Sequence, residues 1–323
     1  RINDFKKNIM KVAFFTEGGY QGKVPKNNPN MRTDMAWVHA LDADHYPIYL
    51  IEQLPSNSYD LGIAILPKIK DKIRHLDVAA EINRICKVSS VMQESNYFMW
   101  QDESIEDQIW YLNTLSGVDF MFTHNNIDKE YYSGLLNKPC EKLPSVMITD
   151  FVKTSDKKID AVAIGGNLVA AYRGIDSYMV ARELDLPIHA ISSGRRKPNE
   201  ESLGITHIPW TTWLGWMEQL SQFKYGVQFG IGGAGSFNLN CAYLGIPCIG
   251  LKELESQNLC FPDLSIGDVG LKKGKELILK LKNDQDFYNH CSKTAQENYI
   301  KHFAVDKFYT TVKSIYLKYS NEN

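Results

Sequence analysis

Gly226-Val227-Gln228-Phe229-Gly230-Ile231-Gly232-Gly233-Ala234-Gly235-Ser236-Phe237-Asn238-Leu239-Asn240-Cys241-Ala242-Tyr243-Leu244-Gly245-Ile246-Pro247-Cys248-Ile249-Gly250 holds a complete strand–turn–helix–strand unit. The run at 226–229 reads as a buried strand, and the glycines after it break the apolar pattern. A helix then opens at Ser236 and ends at Gly245, and Pro247–Gly250 reads as a second strand. Two strands joined through a helix run parallel, so this unit predicts a parallel sheet covered by helices.

The same alternation extends outward in both directions. Lys11–Thr16, Pro47–Ile51, Leu61–Leu66, Val88–Gln93, Val118–Thr123 and Ser145–Thr149 read as strands, with helices near 31–42, 69–86, 104–116 and 127–136. The pattern resets after the polar stretch Val152–Lys158. Strands then fall at Ala161–Ile164, Pro187–Ile191, Thr206–Ile208, Gly226–Phe229 and Pro247–Gly250, with helices near 171–185, 212–222 and 236–244. Two helices near 271–283 and 285–318 close the chain, the second broken around His302–Ala304. The strands are almost continuously apolar, as parallel strands covered on both faces are. The expected fold class is therefore α/β, with two tandem Rossmann-like, doubly wound parallel-sheet domains facing a cleft. The expected domains are 1–152, 153–303 and a helix at 304–323 returning to the first. Such sheets bind ligands outside the carboxyl ends of their strands.

Composition sets limits on function. The chain has 323 residues, 44% hydrophobic and 23% charged, so it has material for two domains of roughly 150 residues each. A net charge of -2 argues against a surface built wholly to coat nucleic acid. The six cysteines form no CxxC pair and no zinc-spaced cluster with histidine, so they read as buried thiols and no metal site is expected. No stretch approaches the ~18 apolar residues of a membrane span, and the expected location is cytoplasmic.

The glycine turn carries the sharpest chemistry. Successive glycines let backbone N–H groups approach a ligand, and a helix N-terminus offers unpaired donors with a partial positive charge. That arrangement suits phosphate, with Ser236 as cap or donor. Gly230, Gly232 and Gly235 also satisfy the dinucleotide pattern GxGxxG, and Glu253 and Glu255 lie about twenty residues on. That fingerprint belongs to the first strand of its domain, whereas this turn comes fourth.

The stretch Gly235–Gly250 resembles the donor-site helix of GT-B glycosyltransferases, in which a glycine loop leads into a helix ending A-x-x-G-x-P-V-I. The resemblance implies a nucleotide-sugar co-substrate, a UDP-sugar first, with no bound cofactor. It implies donor contacts at Gly233, Gly235, Ser236 and Phe237, and a ribose contact at Asn240, where the family usually has glutamate. The earlier acidic position of the retaining families falls on Gly232, so the stereochemical class stays open. Gly165-Gly166-Asn167 and Arg173-Gly174 are similar to the first strand end and K-G turn of the donor domain. Ser193, Arg195, Arg196 and Lys197 occupy the next turn, and Trp210 stands where the family holds the nucleobase, unless it is a core tryptophan. UDP-N-acetylglucosamine 2-epimerases share this layout, so a sugar-nucleotide epimerase remains an alternative, followed by an NAD-linked oxidoreductase.

In the first domain, Phe15-Thr16-Glu17-Gly18-Gly19 is similar to the family's acceptor-side loop; Gly18 and Gly19 are expected on the acceptor side, with Lys23 of the basic loop that follows and Asn96, close in sequence to Glu94. Glycosyl transfer needs a group to accept the proton of the acceptor hydroxyl. Glu94, Asp34 and His124 are the candidates, two at strand ends and one at a helix start. The basic loops Tyr20–Arg32 and Lys68–His75 leave two acceptor classes open: a glycan or small hydroxylated molecule, and a hydroxymethylated base in DNA.

Overall fold

The computed structural model describes residues 10–67, 73–93, 99–165, 168, 172–191, 196–230 and 236–321. The chain divides into two compact units. One comprises the chain up to Asn28, Asp34–Pro144 and the chain from Val305 onward, and the other comprises Pro29–Thr33 and Ser145–Ala304.

The first unit is built on strands β1 (Val12–Thr16), β2 (Asp44–Pro47), β3 (Tyr59–Leu66), β4 (Cys86–Gln93), β5 (Phe120–Thr123) and β6 (Cys140–Lys142). They form a fully parallel sheet in the order β2-β1-β3-β4-β5-β6. Helices α1 (Thr33–Ala40), α2 (Val78–Ile85), α3 (Ile105–Ser116) and α4 (Asn126–Leu136) connect them. Short polar side chains start these helices: Asp77, Ser104 and Asn125 accept from the backbone N–H of Ala80, Asp107 and Asp128. α4 stops at Asn137, which adopts the left-handed conformation with Pro139 just beyond.

The second unit carries β7 (Ile159–Ile164), β8 (Ile188–Ile191), β9 (Thr206–Ile208), β10 (Phe223–Gln228), β11 (Cys248–Leu251) and β12 (Ser265–Ile266). Their order, β12-β11-β10-β7-β8-β9, is the Rossmann order with β7 as first strand. Its helices are α5 (Gly174–Ala181), α6 (Trp213–Leu220), α7 (Ser236–Leu244), α8 (Glu255–Cys260), α9 (Leu271–Asn283) and α10 (Gln285–Phe303). α7 is buried from Phe237 to Ala242, which accounts for its lack of a polar face. All six cysteines are buried free thiols, and burial pushes Cys86 and Cys260 up to about 12. Among the described residues no helix is long and apolar enough to cross a membrane.

Several expected elements are corrected. The strand expected at Pro47–Ile51 is β2 at Asp44–Pro47 followed by a 3-10 turn at Ile48–Gln53. Its ladder to β1 ends at Pro47, and Ile48 and Ile51, three residues apart, are both buried. The strand expected at Ser145–Thr149 makes only a single bridge, Met147 to Arg32, while Cys140–Lys142 takes the place beside β5. Because Ile148 also donates to the Met31 carbonyl, the chain changes unit at Pro144–Ser145, ahead of the polar stretch 152–158. Of the helix expected at 69–86, residues 69–72 lie outside the described residues and α2 begins at Val78 after a turn at 73–75; of the one expected at 171–185, residue 171 lies outside them and α5 begins at Gly174.

The final helix α11 (Val305–Ser320) starts where Ala304 is extended and packs on the first unit. The Tyr319 ring stacks on Phe120 with centroids 4.3 Å apart, and its hydroxyl donates to Glu141 at 2.8 Å. Lys318 donates to the same carboxylate at 2.8 Å. Burial alone would raise the Glu141 pKa, but the Lys318 and Tyr319 hydrogen bonds and the lysine charges outweigh it and hold the carboxyl below its ordinary range. The resulting stability is present above the unfolded carboxyl pKa and is lost as pH falls through the lower folded value. Tyr319→Ala is expected to destabilise the chain by about 3 kcal/mol in urea unfolding. Glu141→Gln should cost less and flatten the acid limb of the stability profile.

Candidate functional site

A parallel sheet opens a crevice where neighbouring strands send their connections to opposite sides. In the second unit that point lies between β7 and β10. Gly165 follows β7, and its N–H donates to the Val227 carbonyl of β10 at 2.9 Å. The space there is closely filled. A Cβ on Gly165 would lie 2.0 Å from Gln228 Oε1 and 2.5 Å from the Phe237 ring, and one on Gly230 would meet the Tyr172 backbone at 2.7 Å. Only glycine lets these backbones approach so closely. Phe237, in the first turn of α7, sits beneath Gly165, so the α7 N-terminus lies at the same crevice. Its leading N–H groups and helix dipole face an anion favourably.

The described donor-side residues divide by what they touch. Ser236 opens α7 and is half-buried. Trp210 is 67% exposed beyond β9, which removes the core-tryptophan reading. Arg196 and Lys197 are exposed on the turn after β8, and that turn is pinned by the Lys197 N–H donating to buried Glu200 at 2.6 Å. Arg173 is engaged within its own unit. Its Nε bonds Asp176 at 2.7 Å, and its other nitrogens reach the Asp268 carboxylate and carbonyl. Asn240 is buried, and its Oδ1 accepts from the Trp213 indole at 3.2 Å. Gly166, Ser193, Arg195, Gly232, Gly233 and Gly235 lie outside the described residues. Gly230 leaves the fourth strand of its unit, not the first, so the dinucleotide fingerprint is out of place.

In the first unit the corresponding point lies between β1 and β3. Gly18 and Gly19 follow β1 and are exposed. Gly19 has φ +122°, and a Cβ there would lie 2.4 Å from His45 Cε1. His45, on β2, is fully buried beneath this turn. Its Nε2 pairs with Thr16 Oγ1 at 2.8 Å, and its Nδ1 accepts from the Tyr20 N–H at 3.0 Å. Burial lowers the His45 pKa, partly offset by the Asp34 charge and the Tyr20 backbone. Asp34 therefore stands close enough to act electrically on the glycine turn from the first turn of α1.

His124 follows β5 and stacks on Trp37 at 5.1 Å. Its Nδ1 is enclosed with no hydrogen-bond partner. Burial pulls its pKa down to about 4, so the ring is neutral at neutral pH and a weak proton acceptor. Lys23 is held by Asp42 and Asp44, each 3.3 Å away, and Arg74 by Asp107 at 2.9 Å. The basic loops are thus partly neutralised within their own unit. Glu94 and Asn96 lie outside the described residues. Among those described, no three His, Cys, Asp or Glu side chains are grouped to hold a metal ion.

Sequence reasoning missed His45 and Gln228. Each is a single polar residue in an otherwise apolar strand, and only the neighbouring glycine turns reveal what it serves.

No family model matches the chain, and no curated protein matches it in sequence. Solved structures match it in shape. One is a mutant of S. aureus TarM in complex with Fondaparinux, alpha-GlcNAc-glycerol and UDP, with TM-score 0.64 and 11% identity. The match covers 83% of this chain and 58% of TarM, so the chain spans little more than half of that protein. Another is Anabaena HepE in complex with UDP-glucose, with TM-score 0.67 and 9% identity over 95% of this chain and 99% of that one. A third is an E. coli trehalose-6-phosphate structure bound with UDP-2-fluoro glucose, with TM-score 0.67, 7% identity and the same coverage of both chains. The two parallel six-stranded sheets with interleaved helices are the fold of GT-B glycosyltransferases.

Gly19→Ala should destabilise the chain by about 2 kcal/mol in urea, since the new methyl meets His45 and the backbone is already left-handed. His124 should titrate near pH 4 by NMR. Between an unfolded value of 6.5 and a folded value of about 4, the unfolded chain binds the proton that folded His124 refuses. Native stability should therefore fall as pH drops through that window, and His124→Gln should fall less.

Proposed function

We propose that this chain is a glycosyltransferase that moves a sugar from a nucleotide donor, a UDP-sugar, to a hydroxyl acceptor. The observation that carries the reading is the crevice at Gly165, Gly230 and the α7 N-terminus. It offers backbone donors and a helix dipole to a diphosphate, within a fold whose solved examples include structures holding UDP and UDP-glucose. The second unit is the donor side. Ser236 caps α7 or donates to a phosphate oxygen, and exposed Arg196 and Lys197 add positive charge. Exposed Trp210 offers a face for the nucleobase.

The first unit is the acceptor side, with the Gly18–Gly19 turn as its floor. In the reaction the acceptor oxygen bonds to the anomeric carbon, the bond from that carbon to the diphosphate breaks, and the hydroxyl proton passes to a base. His124 is too weak a base for that step at neutral pH and serves as a neutral hydrogen-bonding partner. The proton goes to a carboxylate, Glu94 or Asp34. Of the two acceptor classes, a glycan or small hydroxylated molecule is favoured over DNA, because Lys23 and Arg74 are already claimed by carboxylates.

Thermal shifts with UDP, GDP, ADP, their glucose conjugates and NAD(H) test the reading. A ligand that binds only the folded chain stabilises it by ~2.7 kcal/mol at a hundredfold excess over Kd. A UDP-type ligand should shift the native chain and should shift Gly165→Ala and Ser236→Ala less. Stabilisation by NAD(H) alone would contradict the proposal. With a donor in hand, Glu94→Gln or Asp34→Asn should lower kcat about a hundredfold or more.

A further inference from the structure

Gln228 has no role in any reading so far, yet it occupies the centre of the donor crevice. It is the last residue of β10, with 6% of its surface exposed. Its carboxamide lies between the two glycines of the switch point. Oε1 is 2.0 Å from the position a Gly165 Cβ would take, and Nε2 is 2.9 Å from the corresponding position at Gly230. Oε1 is enclosed and has no hydrogen-bond partner among the described residues. A buried amide oxygen left unpaired is costly and rare enough to require a reason. Packing supplies none, since a methionine of similar length would fill the same space without that penalty.

The orphan is an acceptor, so what it lacks is a proton donor. The oxygens of an ionised diphosphate carry no proton to give. A sugar hydroxyl does, and a nucleotide sugar bound with its diphosphate at the α7 N-terminus brings hydroxyls on both sides of the phosphates. Two other buried side-chain oxygens without partners occur on neighbouring elements, Asn238 Oδ1 on α7 and Glu253 Oε2 just beyond β11.

We infer that Gln228 is a specificity residue of the donor site, its Oε1 accepting a hydrogen bond from a sugar hydroxyl of the nucleotide sugar. This inference rests on the donor reading above. Once that hydroxyl is bound, Gln228 discriminates against donors that lack it, because the buried oxygen would again be left unpaired.

Isothermal titration of native chain, Gln228→Met and Gln228→Leu with the nucleoside diphosphates and glucose conjugates of the panel tests it. Urea unfolding without nucleotide is run on each. Both variants should be as stable as native or more so, since an unpaired polar group is removed, yet bind the glucose conjugate about ten- to a hundredfold more weakly. Weakening confined to the conjugate assigns the hydroxyl to the transferred sugar, and equal weakening of the free diphosphate assigns it to the ribose. Native-like affinity in the variants would overturn the inference while leaving the donor reading intact. Loss of stability without nucleotide would make Gln228 a structural residue and overturn it as well. A native chain that binds no member of the panel would overturn the donor reading and this inference together.

Discussion

In a parallel sheet whose first strand lies inside the sheet, the chain must leave that strand toward one side and later return on the other. The connections diverge, and at that point no helix can cover the strand ends. In the second unit the divergence falls between β7 and β10, and the molecule treats it unlike the rest of the sheet. Glycine replaces side chains at 165 and 230, a helix N-terminus points in, and a glutamine amide is left without a partner. Each feature would weaken an ordinary sheet edge. Together they set the leading donors of a helix beside a buried acceptor, and the proposed nucleotide-sugar reading rests on that pairing. Elsewhere in that unit, Arg173 pairs with Asp176 and Asp268 at the start of α5, and the Lys197 N–H donates to buried Glu200.

The first unit solves the same problem with different chemistry. Its divergence falls between β1 and β3, and a left-handed glycine turn there rests on a buried histidine. His45 holds the turn through Thr16 and Tyr20, and burial keeps the ring from charging easily. His124 is also neutral, stacked on Trp37 with one nitrogen enclosed. Burial disfavours the charged form of both rings, so neither adds positive charge to this unit. In the proposed acceptor role, that favours a neutral hydroxyl over a polyanion.

Much of the fold was legible because apolar runs and glycine or proline punctuation determine it locally. The spans 206–208, 236–244 and 271–283 coincide with β9, α7 and α9, the first two closed by Pro209 and Gly245 and the third by Asp284, which caps the next helix. Pro47–Ile51 and Ser145–Thr149 misled because apolar character signals burial, not ladder pairing. Ile48 and Ile51 are buried within a 3-10 turn, and Met147 makes a single bridge. The site was legible where a motif is contiguous, as in the turn after β10. It was obscure where partners are distant. Lys23 looked free until Asp42 and Asp44 closed on it, and Arg173 until Asp268, ninety-five residues on, reached its guanidinium. Gln228 and His45 carry no pattern at all, because what marks them is an environment assembled from other strands.

The central claim is that a nucleotide sugar binds at the divergence of β7 and β10. Hydrogen–deuterium exchange with and without UDP-glucose addresses it directly. Protection should concentrate in peptides spanning Ile164–Gly165, Gln228–Gly230 and the first turn of α7, where bound ligand would cover the leading N–H groups of the helix and hold the strand ends closed. Protection that leaves these peptides unchanged and appears elsewhere would contradict the account.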